Sequence, residues 1–137
     1  MILNNTTEYA LRILAFMLKE PEKIYTASCL VERLNISDKY LRRIMTDLSK
    51  VGFVKSIRGR EGGYLFNRNA GEIYVSDVID SIEGLGKHLA CVLGLEYCSS
   101  LNPCALHDTF KDVRDELVRI AKTLPLSKLE ISTIGRF

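Results

Sequence analysis

Three of the four cysteines lie close together in the second half of the chain. Six residues separate Cys91 from Cys98, five separate Cys98 from Cys104, and His107 follows after two more. Thiolates and imidazole are ligands for soft and borderline metals. The closely spaced cysteine pairs of a zinc finger are missing, and the wider gaps fit a loop around a larger group such as an iron–sulfur cluster. Zinc, a thiol switch and three inert thiols are the alternatives.

The fourth cysteine, Cys29, stands apart from this group. It lies beside Leu30 and Val31 in a segment whose apolar residues recur at helical spacing. A cysteine in such a setting commonly packs as a small hydrophobic residue. We therefore expect Cys29 to be buried and to take no part in metal binding.

A basic segment precedes the cysteines. Residues 37–68 contain 8 Lys and Arg against 3 Asp and Glu. The imbalance extends over the first half of the chain, where residues 1–70 have 12 Lys and Arg against 7 Asp and Glu, whereas residues 71–137 have 7 against 10. Such a local excess of positive charge indicates a polyanionic partner, although a solvated basic face is the alternative.

Periodicity places this charge on a helix–turn–helix unit followed by a hairpin. Apolar spacing predicts a first helix capped at Thr6 or Thr7, a second from about Thr26, and a third capped by Ser37. Two short strands then flank a glycine-rich tip at 58–63. This order is typical of a winged helix-turn-helix, so we predict a mainly α fold with a two-stranded wing.

Candidate DNA contacts lie on the second helix, the third helix and the tip of the wing. The third helix would enter the major groove, and the tip would reach phosphates or the adjacent minor groove. The candidate residues are Ser28, Ser37, Lys39, Tyr40, Arg42, Arg43, Arg58 and Arg60. The competing interpretation is a small domain whose hairpin only packs on its helices.

A second helical pattern follows the cysteines, in a helix predicted to start at Pro103. Apolar residues recur there at alternating steps of four and three, as in the seam of a coiled coil. They are Leu106, Phe110, Val113, Leu117, Ile120 and Leu124. The pattern predicts a dimerisation helix, with packing inside one chain as the alternative.

These patterns divide the chain into three parts. They are a winged helix-turn-helix DNA-binding domain over 1–83, a cysteine-bearing loop over 84–104, and a dimerisation helix with a C-terminal arm over 105–137.

Composition and missing motifs exclude several other classes of protein. The 137 residues are 47% apolar and 26% charged, which is unlike a disordered or low-complexity chain. No apolar run approaches about 20 residues, and the first residues do not resemble a signal peptide, so we expect a cytoplasmic protein without a membrane partner. The phosphate-loop spacing is absent, which argues against a nucleotide site. Because no nucleophile and base have credible spacing, an enzyme is not predicted.

Taken together, four motifs and the spaced cysteines resemble the Rrf2 family of bacterial winged-helix regulators. The motifs are TEYALR at 7–12, ISDKYL at 36–41, SIRGREGGY at 56–64 and VSDVI at 75–79. The resemblance covers nearly the whole chain. It implies a homodimeric transcription factor, expected to act as a repressor, that reads a palindromic operator in double-stranded DNA.

The resemblance also implies a cofactor. Cluster-binding members of the family use three cysteines that match Cys91, Cys98 and Cys104. Some members add a histidine after the third cysteine, here His107, which would suggest a 2Fe–2S cluster and sensing of iron–sulfur status. Others add an acidic residue from the partner's first helix, here Glu8, which would suggest a 4Fe–4S cluster and sensing of nitric oxide or redox state. This sequence offers both ligands.

Three further expectations accompany the resemblance. Arg42 stands where histidine-using members carry an acidic residue, so the operator is expected to differ from theirs, because arginine favours guanine. A purified sample is expected to lose an oxygen-labile cluster readily. The functional alternatives are a cluster-free thiol-switch or zinc-binding regulator of the same fold, or a small redox protein with an incidental basic face.

Overall fold

The computed structural model describes residues 2–129, which form a mainly helical domain with one small sheet. The α-helices are α1 (Asn5–Met17), α2 (Ala27–Leu34), α3 (Asp38–Lys50), α4 (Val75–Glu83) and α5 (His107–Thr123). The strands are β1 (Val54–Ile57) and β2 (Gly63–Phe66), and short 3-10 turns cover Ala70–Glu72, Leu85–His88 and Leu126–Lys128. This confirms the predicted fold class. The end of the predicted C-terminal arm, residues 130–137, lies outside the described residues.

Side-chain caps begin the first three helices. The Thr26 hydroxyl accepts the backbone N–H of Cys29 in α2, and the Ser37 hydroxyl accepts that of Tyr40 in α3, as predicted for Ser37. The prediction for α1 was wrong, because Asn4 caps this helix by accepting the Thr7 N–H at 2.8 Å. Thr7 is instead fully buried inside the first turn. Its side chain is therefore used for tertiary contact and not for capping.

The main core lies where α1 packs against α2, α3 and α4. Leu11 and Leu18 are only half-buried, because α1 turns Ile13 and Phe16 inward. Cys29 is half-buried and packs against this core, so its predicted role as a small hydrophobic residue is met only partly. The most deeply buried large side chains are Ile13, Leu14, Met17, Leu30, Leu41, Ile44, Met45, Leu48, Ile73, Ile79 and Leu126.

The wing is an antiparallel hairpin in which Val54 pairs with Phe66 and Ile57 pairs with Gly63. Its base is held to the segment before α2 by two backbone hydrogen bonds of 2.8 Å between Tyr25 and Tyr64. Gly62 has no space for a side chain, because a Cβ atom there would strike the carbonyl oxygen of Ile57. The tip can therefore turn tightly only with glycine at this position.

Helix α5 begins at His107 and not at Pro103, so its predicted start was wrong. The preceding residues form a turn in which Cys104 accepts the His107 N–H and donates its own N–H to the Cys98 sulfur. The helix packs on α4 through the buried Val118 and Ala121. No helix in residues 2–129 has the length and apolar character needed to cross a membrane.

A buried carboxylate, that of Glu83, joins α1, α4 and the start of the cysteine loop. Its side chain is 2% exposed. It accepts hydrogen bonds from the Asn4 backbone N–H at 2.9 Å, the Thr7 hydroxyl at 2.6 Å and His88 Nε2 at 2.7 Å. Lys87 Nζ lies 3.3 Å away. Burial raises the pKa of Glu83, but these donors outweigh burial and lower the pKa to about 2.

Glu83→Gln is expected to destabilise the fold by about 2–4 kcal/mol at neutral pH, because an uncharged amide cannot satisfy these donors equally. Since the folded pKa lies below the ordinary value of 4.5, the stabilisation is complete above that value and is lost as the pH falls towards 2. Urea unfolding of the wild type and the variant at pH 7 and pH 3 checks both points. The exposed Glu22→Gln serves as control. If the difference in unfolding free energy between the wild type and Glu83→Gln is the same at both pH values, the lowered pKa of Glu83 is contradicted.

Candidate metal centre and nucleic-acid interface

The loop between α4 and α5 brings three cysteine sulfurs together. The sulfurs of Cys91, Cys98 and Cys104 all lie within 4.8 Å of one another, and those of Cys91 and Cys104 are 3.6 Å apart. All three side chains are half-buried free thiols. The predicted convergence of widely spaced cysteines is thus present in a single chain.

Backbone groups of the loop hold and polarise these sulfurs. The Cys104 N–H donates to the Cys98 sulfur at 3.4 Å. The backbone N–H of Leu95 is the largest influence on Cys91 and lowers its pKa to about 7, with a further contribution from Leu93. For Cys98 the Cys104 N–H also lowers the pKa, but burial and the adjacent thiols outweigh it, and the pKa is raised. Cys91 is therefore more readily ionised than Cys98.

His107 lies at the edge of the thiol group. As the first residue of α5, it places Nδ1 3.4 Å from the Cys98 sulfur. Its other ring nitrogen, Nε2, is buried and has no hydrogen-bond partner within residues 2–129. The ring is not part of the set whose ligand atoms all lie within 4.8 Å. His107 is thus near enough to join a ligand set after a small movement.

Glu8, the other predicted fourth ligand, lies elsewhere in the same chain. It belongs to the first turn of α1, and its carboxylate is 4.0 Å from Arg12 with 43% of the side chain exposed. Among the described residues it is not grouped with the cysteines of its own chain. Glu8 is therefore not placed as a fourth ligand within one chain.

The donor set fits a thiophilic metal or an iron–sulfur cluster. Three close sulfurs, a nearby imidazole and backbone N–H donors to sulfur are the elements from which such sites are built. A small cavity beside these ligands is also lined by Arg114, which was not among the predicted site residues. Its position seven residues after His107 places it two turns along the same helix face, and this spacing was the available signal.

The predicted DNA face is exposed on α3 and on the wing. Lys39 and Arg43 project from α3 into solvent, and Arg58 and Arg60 do so at the tip. Arg42 is also exposed, but its Nε donates to the Asp38 carboxylate at 2.7 Å. Arg42 and Ser28 line a concave surface between α2, α3 and the wing.

Two of the predicted contact residues also have structural roles. The Ser37 hydroxyl caps α3. The Tyr40 hydroxyl is 2.8 Å from the Thr6 hydroxyl, and its ring meets Tyr9 edge-on at 5.7 Å. Tyr40 therefore anchors α3 to α1, in addition to its predicted contact with DNA.

The predicted seam of α5 faces away from the core. Phe110 is 42% exposed, Val113 60% and Ile120 44%, whereas Val118 and Ala121 on another face are buried. Leu106, Leu117 and Leu124 are half-buried. Within residues 2–129, three of the six seam residues are thus open to solvent, which is unfavourable for an isolated monomer.

Comparisons with known proteins agree with this architecture. The Rrf2 family model, described as an iron-dependent transcriptional regulator, matches residues 3–130. The HTH-type transcriptional regulator IscR of Xenorhabdus nematophila is 34% identical over 98 residues, which cover 72% of this chain and 59% of that protein. The corresponding protein of Pectobacterium atrosepticum is 35% identical with the same coverage. The match therefore spans about three fifths of the length of these relatives.

Solved structures share the fold over nearly the whole chain. CymR, the global cysteine regulator of Bacillus subtilis, has a TM-score of 0.79 at 25% identity and covers 94% of this chain and 95% of its own. IscR of T. potens has a TM-score of 0.72 at 21% identity and covers 100% of this chain and 92% of its own. The named relatives are regulators and not enzymes, as predicted. Because the family model matches nearly every described residue, the chain belongs to the Rrf2 family of transcriptional regulators.

Proposed function

We propose that this chain is a cytoplasmic, homodimeric regulator that binds operator DNA and senses iron–sulfur or redox status through a cluster held by Cys91, Cys98 and Cys104. The observation that carries the proposal is the close group of three sulfurs in the loop between the winged helix and α5. When bound, a cluster would supply a redox-active group that is sensitive to oxidants and nitric oxide. The chain itself supplies three thiolates, the loop that holds them and the DNA-binding surface.

His107 is our preferred fourth ligand. Its Nδ1 already faces the Cys98 sulfur, and its buried Nε2 lacks a partner within the described residues. Glu8 of the partner subunit remains the alternative, since a second copy of the chain is needed to bring it near. The two assignments differ in the expected cluster, with two irons for His107 and four for Glu8.

A continuous set of contacts leads from the cysteine loop to the recognition helix. His88 lies near the start of the loop and is hydrogen-bonded to Glu83, which is hydrogen-bonded to Thr7 in α1. The neighbouring Thr6 is bonded to Tyr40 in α3. We infer that a change of loop conformation alters the placement of α3 through α1, and so changes the population able to bind DNA.

A cluster-free thiol switch is the second candidate. The 3.6 Å between the Cys91 and Cys104 sulfurs, together with the lowered pKa of Cys91, favours it. A peroxide could then oxidise these two thiols to a disulfide and itself be reduced to water and an alcohol or a second water. Metal analysis separates this candidate from a cluster regulator.

The cluster is tested by anaerobic purification, with iron, zinc and acid-labile sulfide measured beside the visible spectrum. We expect matching iron and sulfide and a visible chromophore that Cys98→Ala removes. Cys29→Ser is the matched control and should keep the chromophore, because Cys29 lies outside the sulfur group. Zinc alone, or no metal with retained DNA binding, would overturn the cluster and favour the zinc or thiol-switch regulator.

DNA recognition is tested with Arg42→Ala on an operator selected from randomised duplex DNA. If Arg42 leaves Asp38 to contact a guanine, the variant should lose about tenfold to a hundredfold discrimination at one base pair. Lys19→Ala, which removes a charge at the far end of α1, should leave the preference unchanged. If Arg42→Ala and the wild type show the same base preference, contact of Arg42 with a guanine is contradicted.

Dimerisation is tested by sedimentation of Val113→Lys beside Asp112→Lys. Val113 lies on the exposed seam, so a charge there should convert a dimer to a monomer without unfolding the chain. Asp112 is exposed on another face of α5, and its variant should stay dimeric. If Val113→Lys remains a dimer, the seam is not the interface.

A further inference from the structure

Arg114 carries a buried donor at the edge of the thiol group. Its Nε atom is inaccessible to solvent and makes no hydrogen bond within residues 2–129. The Asp115 carboxylate lies 3.5 Å away in an ion pair without hydrogen-bond geometry, and that side chain is 49% exposed. An unsatisfied buried guanidinium nitrogen is costly, so its retention points to a negatively charged or hydrogen-bonding group that belongs beside it.

The surroundings of Arg114 indicate which group this is. The side chain lines one small cavity together with Cys91, Cys98, Cys104 and His107. Another of its nitrogens, Nη1, donates to the Ala90 carbonyl at 3.5 Å, immediately before Cys91. Arg114 therefore connects α5 with Ala90, the residue before Cys91, while it presents a positive charge to the cavity.

We propose that Arg114 is a positioning residue of the metal centre, which fixes the Cys91 end of the loop and offsets the negative charge of three thiolates. This inference rests on the proposed function for the identity of the bound group, but the charge argument applies to any thiolate-bound metal. A cation beside thiolate ligands stabilises their ionised form. It also favours the more negative, reduced state of a bound cluster, because net charge and hydrogen bonds to sulfur set cluster potentials.

The test compares Arg114→Gln and Arg114→Lys with Arg119→Gln. Arg119 lies on the same helix but is 61% exposed and paired with Glu116, so it is a matched control for loss of one charge. Arg114→Gln should shift the midpoint potential of the anaerobic cluster to a more negative value and speed its loss to a chelator. Arg114→Lys should recover part of the potential, because it keeps the charge, whereas Arg119→Gln should match the wild type.

A second measurement keeps the inference separate from the cluster itself. Cobalt(II) is titrated into each metal-free protein at fixed pH, and its thiolate charge-transfer absorption is followed. We expect Arg114→Gln to bind cobalt about tenfold more weakly than the wild type and Arg119→Gln to bind equally. If the wild type holds no iron but this order of cobalt affinities is found, the proposed iron–sulfur cluster is contradicted and the positioning role of Arg114 is supported. Equal potentials and equal cobalt affinities for Arg114→Gln and the wild type would overturn that role.

Discussion

The buried carboxylate of Glu83 is the contact on which the relation between the two ends of the molecule depends. Glu83 ends α4, and its carboxylate accepts hydrogen bonds from Asn4 and Thr7 at the start of α1 and from His88 near the start of the cysteine loop. Because each donor would lose a partner if the carboxylate moved, the winged helix and the base of the loop are held in one arrangement. The start of the loop is therefore held in place, and we infer that a change of loop conformation would reach α1 through Glu83.

The second constraint is the charge of three close sulfurs. Metal binding would require all three close sulfurs to be ionised, and we infer that backbone N–H groups, the neighbouring imidazole and the guanidinium of Arg114 would reduce the repulsion between the thiolates. Helix α5 supplies both His107 and Arg114, and two residues of the apolar seam, Leu106 and Phe110, line the same cavity. In the proposed regulator, metal binding and dimerisation would therefore use neighbouring parts of one helix, and a change at the metal centre would affect the pairing of two chains.

Much of this architecture was predictable because it depends on local patterns. The wing follows from strand periodicity around glycines, and the exposed seam follows from apolar steps of four and three on α5. The sulfur group was predicted from cysteine types and spacing. The start of α1 was missed, because Asn4, Thr6 and Thr7 are all residue types that cap helices. In the structure Asn4 is the cap, and the Thr7 hydroxyl donates to Glu83 instead.

Other features could not be deduced because they depend on long-range contacts. The late start of α5 reflects the Cys104 N–H, which bonds to the Cys98 sulfur. Glu83 and His88 looked like ordinary polar residues at the end of a helix, and their burial comes from the approach of α1. The spacing of Arg114 from His107 indicates that the two residues share a helix face. The unpaired Nε atom of Arg114, however, is found only in the folded structure, where the cavity forms.

The most direct test of the account is the affinity of one anaerobic preparation for its selected operator, measured with the metal centre loaded and again after gentle chelation. Native mass spectrometry would follow metal content and oligomeric state in the same samples. We predict that DNA affinity differs at least about tenfold between the two states, while the fold is retained. A bound metal shifts the DNA-binding equilibrium only if it binds the two protein conformations with different affinities. Equal operator affinity in the loaded and metal-free protein would contradict control of DNA binding by the cysteine loop.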